Sequence, residues 1–250
     1  MLWEEVEKLS EIGFEYFIGE IHLFYGFAGV GKTTFSCYIP IVLLHKWLRD
    51  NHMLNENTRY VVINTDSSFH FRDLERIIKS NDLNVKDVLK HVWLERVQTI
   101  EQLIDKANVV FKAIRNNERD VKLIAVDKIN DPYYYTIMEE RDRKQILAIS
   151  REMYGSIEFI LRRLGSFADR YGILVTLSAR RKKEYRERPL RKWYEKVYAG
   201  YSIQYHPSVA VELESINDTS NKVRFRVVKH RHHKEGGEVT IEFTEYGFKV

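Results

Sequence analysis

Short apolar runs along this chain alternate with longer segments in which apolar residues recur every three or four positions. The runs are typical of buried strands and lie at residues 21–25, 60–64, 91–97, 121–126 and 173–177. The segments between them predict helices at residues 33–50, 71–80 and 99–116, and the longest helix carries a stripe over residues 146–167. From residue 209 the pattern changes to period-two runs at residues 209–214, 222–228 and 238–244. This order predicts a three-layer α/β fold whose mostly parallel central sheet ends in antiparallel strands.

The composition favours a single domain over residues 1–250, with a short N-terminal segment at 1–18 and a core at 19–250. Hydrophobic residues make up 44% of the chain, and no repeat or Pro/Gly/Ser-rich linker divides it. Its longest apolar run is shorter than the ~18 residues that a membrane helix needs. The acidic start lacks the features of a signal peptide, and the single cysteine, Cys37, fits a reducing compartment. We therefore expect a cytoplasmic protein without a membrane partner.

Residues 26–34, GFAGVGKTT, match the phosphate-binding pattern G-x-x-x-x-G-K-[ST] at every fixed position. The glycines permit backbone angles at which successive amides face a β-phosphate. Lys32 supplies a positive charge to the β- and γ-phosphates. An apolar strand precedes the loop and a helix follows it, whereas the alternative is a glycine-rich turn without a ligand. The predicted cofactors are ATP and Mg²⁺, and the predicted nucleotide-binding residues are Gly26, Phe27, Ala28, Gly29, Val30, Gly31, Lys32, Thr33 and Thr34.

Two oxygen ligands are predicted for the Mg²⁺ ion. One is the hydroxyl of Thr33, and the other is Asp127, which follows the apolar run at 121–126 as a Walker B carboxylate does. The alternative for Asp127 is an aspartate that caps a turn, in which case Asp131 is the substitute ligand.

Hydrolysis also needs a group that orients the attacking water. Asp66 follows the run at 60–64, and a strand next to the P-loop strand would bring its carboxylate near the γ-phosphate. The alternative is a turn-forming aspartate before two serines, with Glu139 and Glu140 as substitute bases.

A basic segment with interleaved aromatic residues is the candidate nucleic-acid site. Residues 180–196 hold nine basic and three acidic residues together with Tyr185, Trp193 and Tyr194. Cations neutralise phosphates, and aromatic rings stack with unpaired bases. A solvated charged loop is the alternative, because the net charge of +4 is small. The predicted nucleic-acid residues are Arg180, Arg181, Lys182, Lys183, Arg186, Arg191 and Lys192.

With these motifs in view, the chain resembles the RecA/RadA recombinase superfamily, and within it an archaeal RadA paralogue that consists of the ATPase core. The resemblance is carried by NTDSSFHFRDLERI at 64–77 and by VKDVLKHVWLERVQTIEQL at 85–103, followed by the Walker B strand and the long helix. It implies a RecA-type P-loop fold and places Asp66 where the family has a water-activating glutamate. Ser178 falls at the position of a γ-phosphate-sensing glutamine, and the 180–196 segment falls at a DNA-binding loop.

The resemblance has further implications and some departures. The family's second DNA loop begins near Tyr133, Tyr134 and Tyr135, although a tyrosine triplet is equally suited to a core or a subunit interface. Lys229 and Arg231 fall at a Lys-x-Arg strand end that reaches a neighbouring subunit's γ-phosphate; a basic patch or a plain turn is the alternative. The N-terminal helical DNA-binding domain and a Phe-x-x-Ala polymerisation motif are not found in the sequence.

Taken together, these features predict a Mg²⁺-dependent ATPase that binds single-stranded DNA and assists recombinational repair. Its expected partners are DNA and recombinase or RecA-like paralogue subunits, with a homo-oligomer as another option. Two rival functions stay open. One is a KaiC-like regulatory ATPase that acts on protein partners without DNA, and the other is a nucleotide-binding structural subunit with negligible turnover.

Overall fold

The computed structural model describes residues 2–139, 142–183, 192–198, 200–217, 221–232 and 236–250, with the side chains of residues 139 and 143 left out. Its helices are α1 (Leu2–Ser10), α2 (Ile39–Asp50), α3 (Phe71–Ser80), α4 (Val85–Leu89), α5 (Ile100–Arg115), α6 (Asp131–Glu139), α7 (Arg143–Tyr171) and α8 (Gly200–Ile203). A π-helical turn at Thr34–Tyr38 precedes α2, and a 3₁₀ turn lies at Trp193–Lys196. The strands are β1 (Ile21–Gly26), β2 (Thr58–Asn64), β3 (Val92–Arg96), β4 (Asp120–Asp127), β5 (Leu174–Arg180), β6 (Val209–Ser215), β7 (Lys222–His230), β8 (Glu238–Thr244) and β9 (Gly247–Lys249).

One sheet of nine strands runs through the described residues in the order β3-β2-β4-β5-β1-β6-β7-β8-β9. The pairs from β3 to β6 are parallel, and those from β6 to β9 are antiparallel. This confirms the predicted α/β class and the antiparallel C-terminal strands. Core residues of α2 and α3 pack on one face, and those of α5 and α7 pack on the other. The arrangement is compatible with three layers.

The strand β1 lies between β5 and β6, and the chain leaves β1 and β5 toward opposite faces of the sheet. After β1 it passes to the face that carries α2, whereas after β5 it passes to the face that carries α8. In open parallel sheets a crevice forms at the carboxyl ends of two such neighbouring strands, and ligands bind there. The segment after β1 is the glycine-rich loop at 26–33, so this loop lies at the crevice.

A single helix was predicted over residues 33–50. In the structure this segment contains a π-helical turn at Thr34–Tyr38, which is wider than an α-helical turn. The π-helical turn is closed by the amide of Ile39, which donates to the carbonyl of Thr34. Pro40 has no amide to donate, so carbonyls in the preceding turn need other partners. Thr176 of β5 donates its hydroxyl to the carbonyl of Ser36 at 2.5 Å, and Tyr16 donates to that of Phe35 at 2.7 Å. The wide turn is thus anchored to the strand beside β1.

The antiparallel end of the sheet supports the loop from the other side. The ring of Phe243 on β8 lies so close to Gly31 that a Cβ atom there would meet its Cζ at 1.8 Å. Helix α1, which the apolar pattern did not predict, adds Leu2 and Leu9 to the core on the α2 face. None of the helices in the described ranges is both long and apolar enough to cross a membrane.

Candidate functional site

The loop at 26–33 contains two glycines with the positive φ angles that an anion-binding nest uses. Gly29 and Gly31 adopt φ angles of 79° and 81°, which residues with a Cβ rarely adopt. Gly26 has another constraint, because a Cβ atom there would lie 2.3 Å from the carbonyl oxygen of Leu213. Within the described part of the chain, the amides of Phe27, Ala28, Gly29 and Gly31 donate to no protein oxygen. Exposed amides that point into a concave loop attract anions.

Lys32 is the cation of this loop, and its ammonium is almost buried. Its Nζ donates to the carbonyl oxygen of Phe27, at the other end of the same loop. Its pKa is lowered to about 8, first because burial disfavours the charged form and then because the positive charge of Lys128 is close. An anion bound in the loop would supply the negative charge that this ammonium requires.

The carboxylate of Asp127 lies at the centre of the site and is fully buried. Its Oδ2 accepts from Thr33 Oγ1 at 2.9 Å and from Ser68 Oγ at 2.5 Å, while its Oδ1 accepts from Ser178 Oγ at 2.5 Å. Asn64 Nδ2 is 3.4 Å from Oδ2. A buried carboxylate requires such donors, because removing its charge from water is costly. The donors come from the glycine-rich loop and from the ends of β2 and β5, so Asp127 joins three strand ends.

This donor set fits Mg²⁺. Thr33 Oγ1 and Ser68 Oγ lie 3.3 Å apart, and both bond to the same carboxylate oxygen of Asp127. In the described ranges there is no cluster of three or more His, Cys, Asp or Glu side chains that could hold a metal ion unaided. Mg²⁺ in phosphate sites takes one or two carboxylates and completes its octahedron with water and phosphate oxygens. The residues therefore suit a metal that arrives with a phosphate ligand.

Asp66 follows β2, and that strand does not occupy the position in the sheet that was predicted for it. Strand β2 is separated from β1 by β4 and β5, so Asp66 does not follow a strand next to the one that precedes the glycine-rich loop. Its carboxylate is paired with the ammonium of Lys128, and its Oδ1 accepts from the amide of Ser68 at 3.0 Å. Asp66 reaches the site through Ser68, which contacts Asp127 directly.

Ser178 and Asp131 have partners inside the protein. Ser178, the candidate phosphate sensor, orients Asp127 and also accepts from the amide of Lys128 at 2.8 Å. The Asp131 carboxylate accepts from Nε and Nη2 of the Arg180 guanidinium at 2.9 Å each, so both of its oxygens already have a cationic partner. Glu140 lies outside the described residues, as does the side chain of Glu139.

The basic segment divides into paired and solvent-facing cations. Arg180 pairs with Asp131 and lies over the Tyr134 ring at 4.5 Å, and buried Arg181 pairs with Glu212 at 3.0 Å. Lys183 and Lys192 are exposed and Lys182 is half-buried. Arg186 and Arg191 lie outside the described residues, so the prediction for them stays a prediction.

The aromatic residues after Asp131 have different surroundings. Tyr133 is buried, and its hydroxyl lies 3.3 Å from that of Tyr154, which places it in the core. Tyr134 packs under Arg180, while Tyr135 is exposed and its hydroxyl accepts from Arg180 at 3.4 Å. The core alternative therefore holds for Tyr133.

Lys229 and Arg231 lie at the opposite edge of the sheet from the glycine-rich loop. The end of β7 pairs with the start of β6, where Ala210 faces Lys229, and β6 in turn starts beside the start of β1. Lys229 Nζ donates to the carbonyl of Gln204 at 2.8 Å, and its pKa is lowered to about 8 by burial and by the charge of Arg231. Neither residue can reach the loop of its own chain.

Sequence reasoning did not identify Ser68, Asn64 or Lys128 as site residues. Ser68 and Asn64 flank Asp66 at the tip of a strand, and polar residues at a carboxyl strand end were the available signal. Lys128 follows Asp127 directly, but a lysine at this point has no pattern that separates it from a surface residue.

Comparison of the chain with models of known protein families gave no match, and comparison with curated proteins gave none either. The site is therefore the evidence that bears on the function of this chain. That site combines a loop of exposed residues, one buried ammonium and a carboxylate with three hydroxyl donors, all at the edge where the parallel strands end.

Substitution of Gly31 is expected to destabilise the fold more than substitution of Gly29. Both Gly31→Ala and Gly29→Ala place a side chain at a positive φ, which costs about 1 kcal/mol. Only the Cβ at position 31 would also displace the ring of Phe243, whereas none of the described residues lies within 4 Å of the Cβ position at Gly29. We expect Gly31→Ala to lose about 1–3 kcal/mol more of the free energy of unfolding in urea.

The double variant Gly31→Ala/Phe243→Leu should recover part of this loss, since the smaller side chain leaves room for the new methyl group. Equal losses in the two single variants would show that Phe243 does not support the loop.

Proposed function

We propose that this chain is a Mg²⁺-dependent ATPase with a RecA-type P-loop core. The observation that carries the proposal is the convergence of Thr33, Ser68 and Ser178 on the buried carboxylate of Asp127, beside a loop of exposed amides that holds Lys32. Backbone amides and an ammonium match the charge of a triphosphate, and hydroxyl and carboxylate oxygens match the ligand preference of Mg²⁺. The alternative, a glycine-rich turn without a ligand, does not explain why these polar groups converge beside the loop.

Each residue has a distinct task in the proposed reaction. The amides of the loop and Lys32 hold the β- and γ-phosphates, while Thr33 and Asp127 hold the metal ion. Mg²⁺, when bound, neutralises charge on the phosphate oxygens. Ser178 fixes the orientation of the Asp127 carboxylate. The hydroxyl oxygen of Ser68, beside that of Thr33, offers the metal ion a further ligand.

Asp66 is the group assigned to the attacking water. The water oxygen bonds to the γ-phosphorus as the bond to the bridging oxygen breaks, the electron pair stays on ADP, and a water proton passes to the Asp66 carboxylate. For this step Asp66 must be separated from Lys128, with which it is paired in the structure. Turnover is therefore expected to be slow. This ion pair is the observation that favours the second candidate function, a nucleotide-binding subunit with little hydrolysis.

We also propose that the basic segment predicted at residues 180–196 binds single-stranded DNA, as a repair ATPase that assists a recombinase would require. Exposed Lys183 and Lys192 lie in sequence between aromatic residues, and Lys192 Nζ is 5.7 Å from the Tyr194 ring centre. Tyr201 packs against Tyr194 and is more than half exposed. Cations that meet phosphates beside rings that stack with bases are the components of such a site.

Lys229 and Arg231 fit a role between subunits. Because they lie at the sheet edge remote from the loop, a nucleotide that they touch must belong to another subunit, either a second copy or a recombinase. Arg231 is exposed and would reach that neighbour's γ-phosphate.

Lys32→Ala is expected to weaken the binding of MgATP and MgADP by about 10- to 100-fold, because a charge-assisted contact contributes about 1.5–3 kcal/mol. Phosphate release should fall to background. Isothermal titration calorimetry measures the first effect and a phosphate-release assay the second.

Lys79→Ala, which removes an exposed lysine on α3, serves as the matched control and should behave as the unmodified protein. Failure of the folded, unmodified protein to take up either nucleotide would overturn the proposed ATPase.

The triple variant Lys182→Ala/Lys183→Ala/Lys192→Ala is expected to weaken binding of a fluorescent single-stranded oligonucleotide. Each lost phosphate contact reduces the slope of log affinity against log salt by about 0.7, so the slope should decrease by about 2. Anisotropy titrations at several salt concentrations measure it. A control triple variant at exposed Lys79, Lys86 and Lys112 should keep the original slope, and equal slopes in all three proteins would exclude the DNA assignment.

A further inference from the structure

The residue that follows Asp127 is a lysine held in an unusual backbone conformation. Lys128 has a φ angle of 63°, in the left-handed region that a side chain with a Cβ rarely adopts. Its amide donates to Ser178 Oγ at 2.8 Å, and its carbonyl accepts from Thr65 Oγ1 at 2.9 Å. Strain of this kind persists where the surroundings enforce it and is concentrated at functional sites.

The ammonium of Lys128 lies within the proposed nucleotide site. It pairs with the carboxylate of Asp66, and the two side chains are only 14% and 9% exposed. Asp66 in turn accepts from the amide of Ser68, whose hydroxyl contacts both Asp127 and Thr33. The candidate Mg²⁺ ligands are Asp127 and Thr33. Lys128 directly follows Asp127 in the chain, and Asp66 is linked to both ligands through Ser68.

Arg180 and Lys128 each pair with a carboxylate near the site, but Lys128 is held less firmly and could bind a phosphate instead. Arg180 is fixed to Asp131 by two hydrogen bonds of 2.9 Å and by its contact with the ring of Tyr134. Lys128 is held on Asp66 by a single ammonium on a flexible four-carbon stem, which can change partner without moving the backbone. MgATP carries a net negative charge, and the charges of Lys32 and Asp127 cancel each other, so a second cation near the γ-phosphate would strengthen binding.

Resting on the proposed function, we propose that Lys128 is a second phosphate-binding cation that recognises the γ-phosphate, and that Asp66 is the positioning residue that holds it ready. When a γ-phosphate is bound, the ammonium leaves the carboxylate for the phosphate oxygens. The same exchange frees Asp66 to accept a hydrogen bond from water. ATP and ADP are thus distinguished by this lysine, since ADP has no γ-phosphate to draw it from Asp66.

The test compares nucleotide affinities in Lys128→Met, which keeps the length of the side chain and removes its charge. We expect the dissociation constant of MgATP to rise about tenfold or more, while that of MgADP changes less than about twofold. Lys128→Arg should restore much of the preference for ATP. Asp66→Asn should retain MgATP binding and lose phosphate release. Calorimetry and a phosphate-release assay provide both readouts.

Lys122→Met is the matched control, because Lys122 lies on the same strand and forms an ion pair with Asp120 at 2.8 Å away from the site. It should leave both affinities unchanged. A purely structural ion pair predicts that Lys128→Met weakens MgATP and MgADP equally, and that result would overturn the role of Lys128 while Lys32-dependent binding stands. If the unmodified protein binds neither nucleotide, the proposed ATPase function itself fails.

Discussion

The buried carboxylate of Asp127 is the interaction on which the rest of the site depends. It accepts hydrogen bonds from the hydroxyls of Thr33, Ser68 and Ser178. These residues belong to three separate segments that the sheet brings to one edge. Loss of any donor would leave part of a buried charge unsatisfied, which costs more than an ordinary hydrogen bond contributes. The carboxylate thereby fixes the glycine-rich loop, the end of β2 and the end of β5 relative to one another. A metal ion held by Asp127 and Thr33 would find these oxygen ligands already in place.

Parts of this arrangement follow from local sequence, and those parts were predictable. Helix α3 begins and ends at the predicted residues because its apolar positions keep a strict helical period, and β8 does so because its period of two is equally clear. The positions of the glycine-rich loop after β1 and of Asp127 at the end of β4 also follow from short motifs, whereas phosphate binding by the loop stays a prediction. The wide turn before α2 required more, since it depends on Pro40 together with the hydroxyl that Thr176 contributes from a distant strand.

Properties that depend on pairing across the sheet were not accessible from the sequence. The order of strands places two strands, β4 and β5, between β2 and β1, and Asp66 lies against Lys128 instead of beside the loop. The same holds for Arg180 and Arg181, whose carboxylate partners lie 49 or 31 positions away in the chain: Asp131 and Glu212. A basic run looks uniform in sequence, but burial divides it into cations that stabilise the fold and cations that face solvent. Lys128, which directly follows a strand-end aspartate, could not be assigned to the site until its backbone angle and partner were known.

The most direct test of this account is the effect of Mg²⁺ on ATP binding in Asp127→Asn, measured by calorimetry with added Mg²⁺ and with EDTA. Asparagine preserves the size of the side chain and removes its charge, so the fold should persist. The account predicts that Mg²⁺ tightens ATP binding by about tenfold or more in the unmodified protein and that the variant loses this gain while it keeps metal-free binding. An unchanged gain in Asp127→Asn would contradict the claim that this carboxylate holds the metal ion.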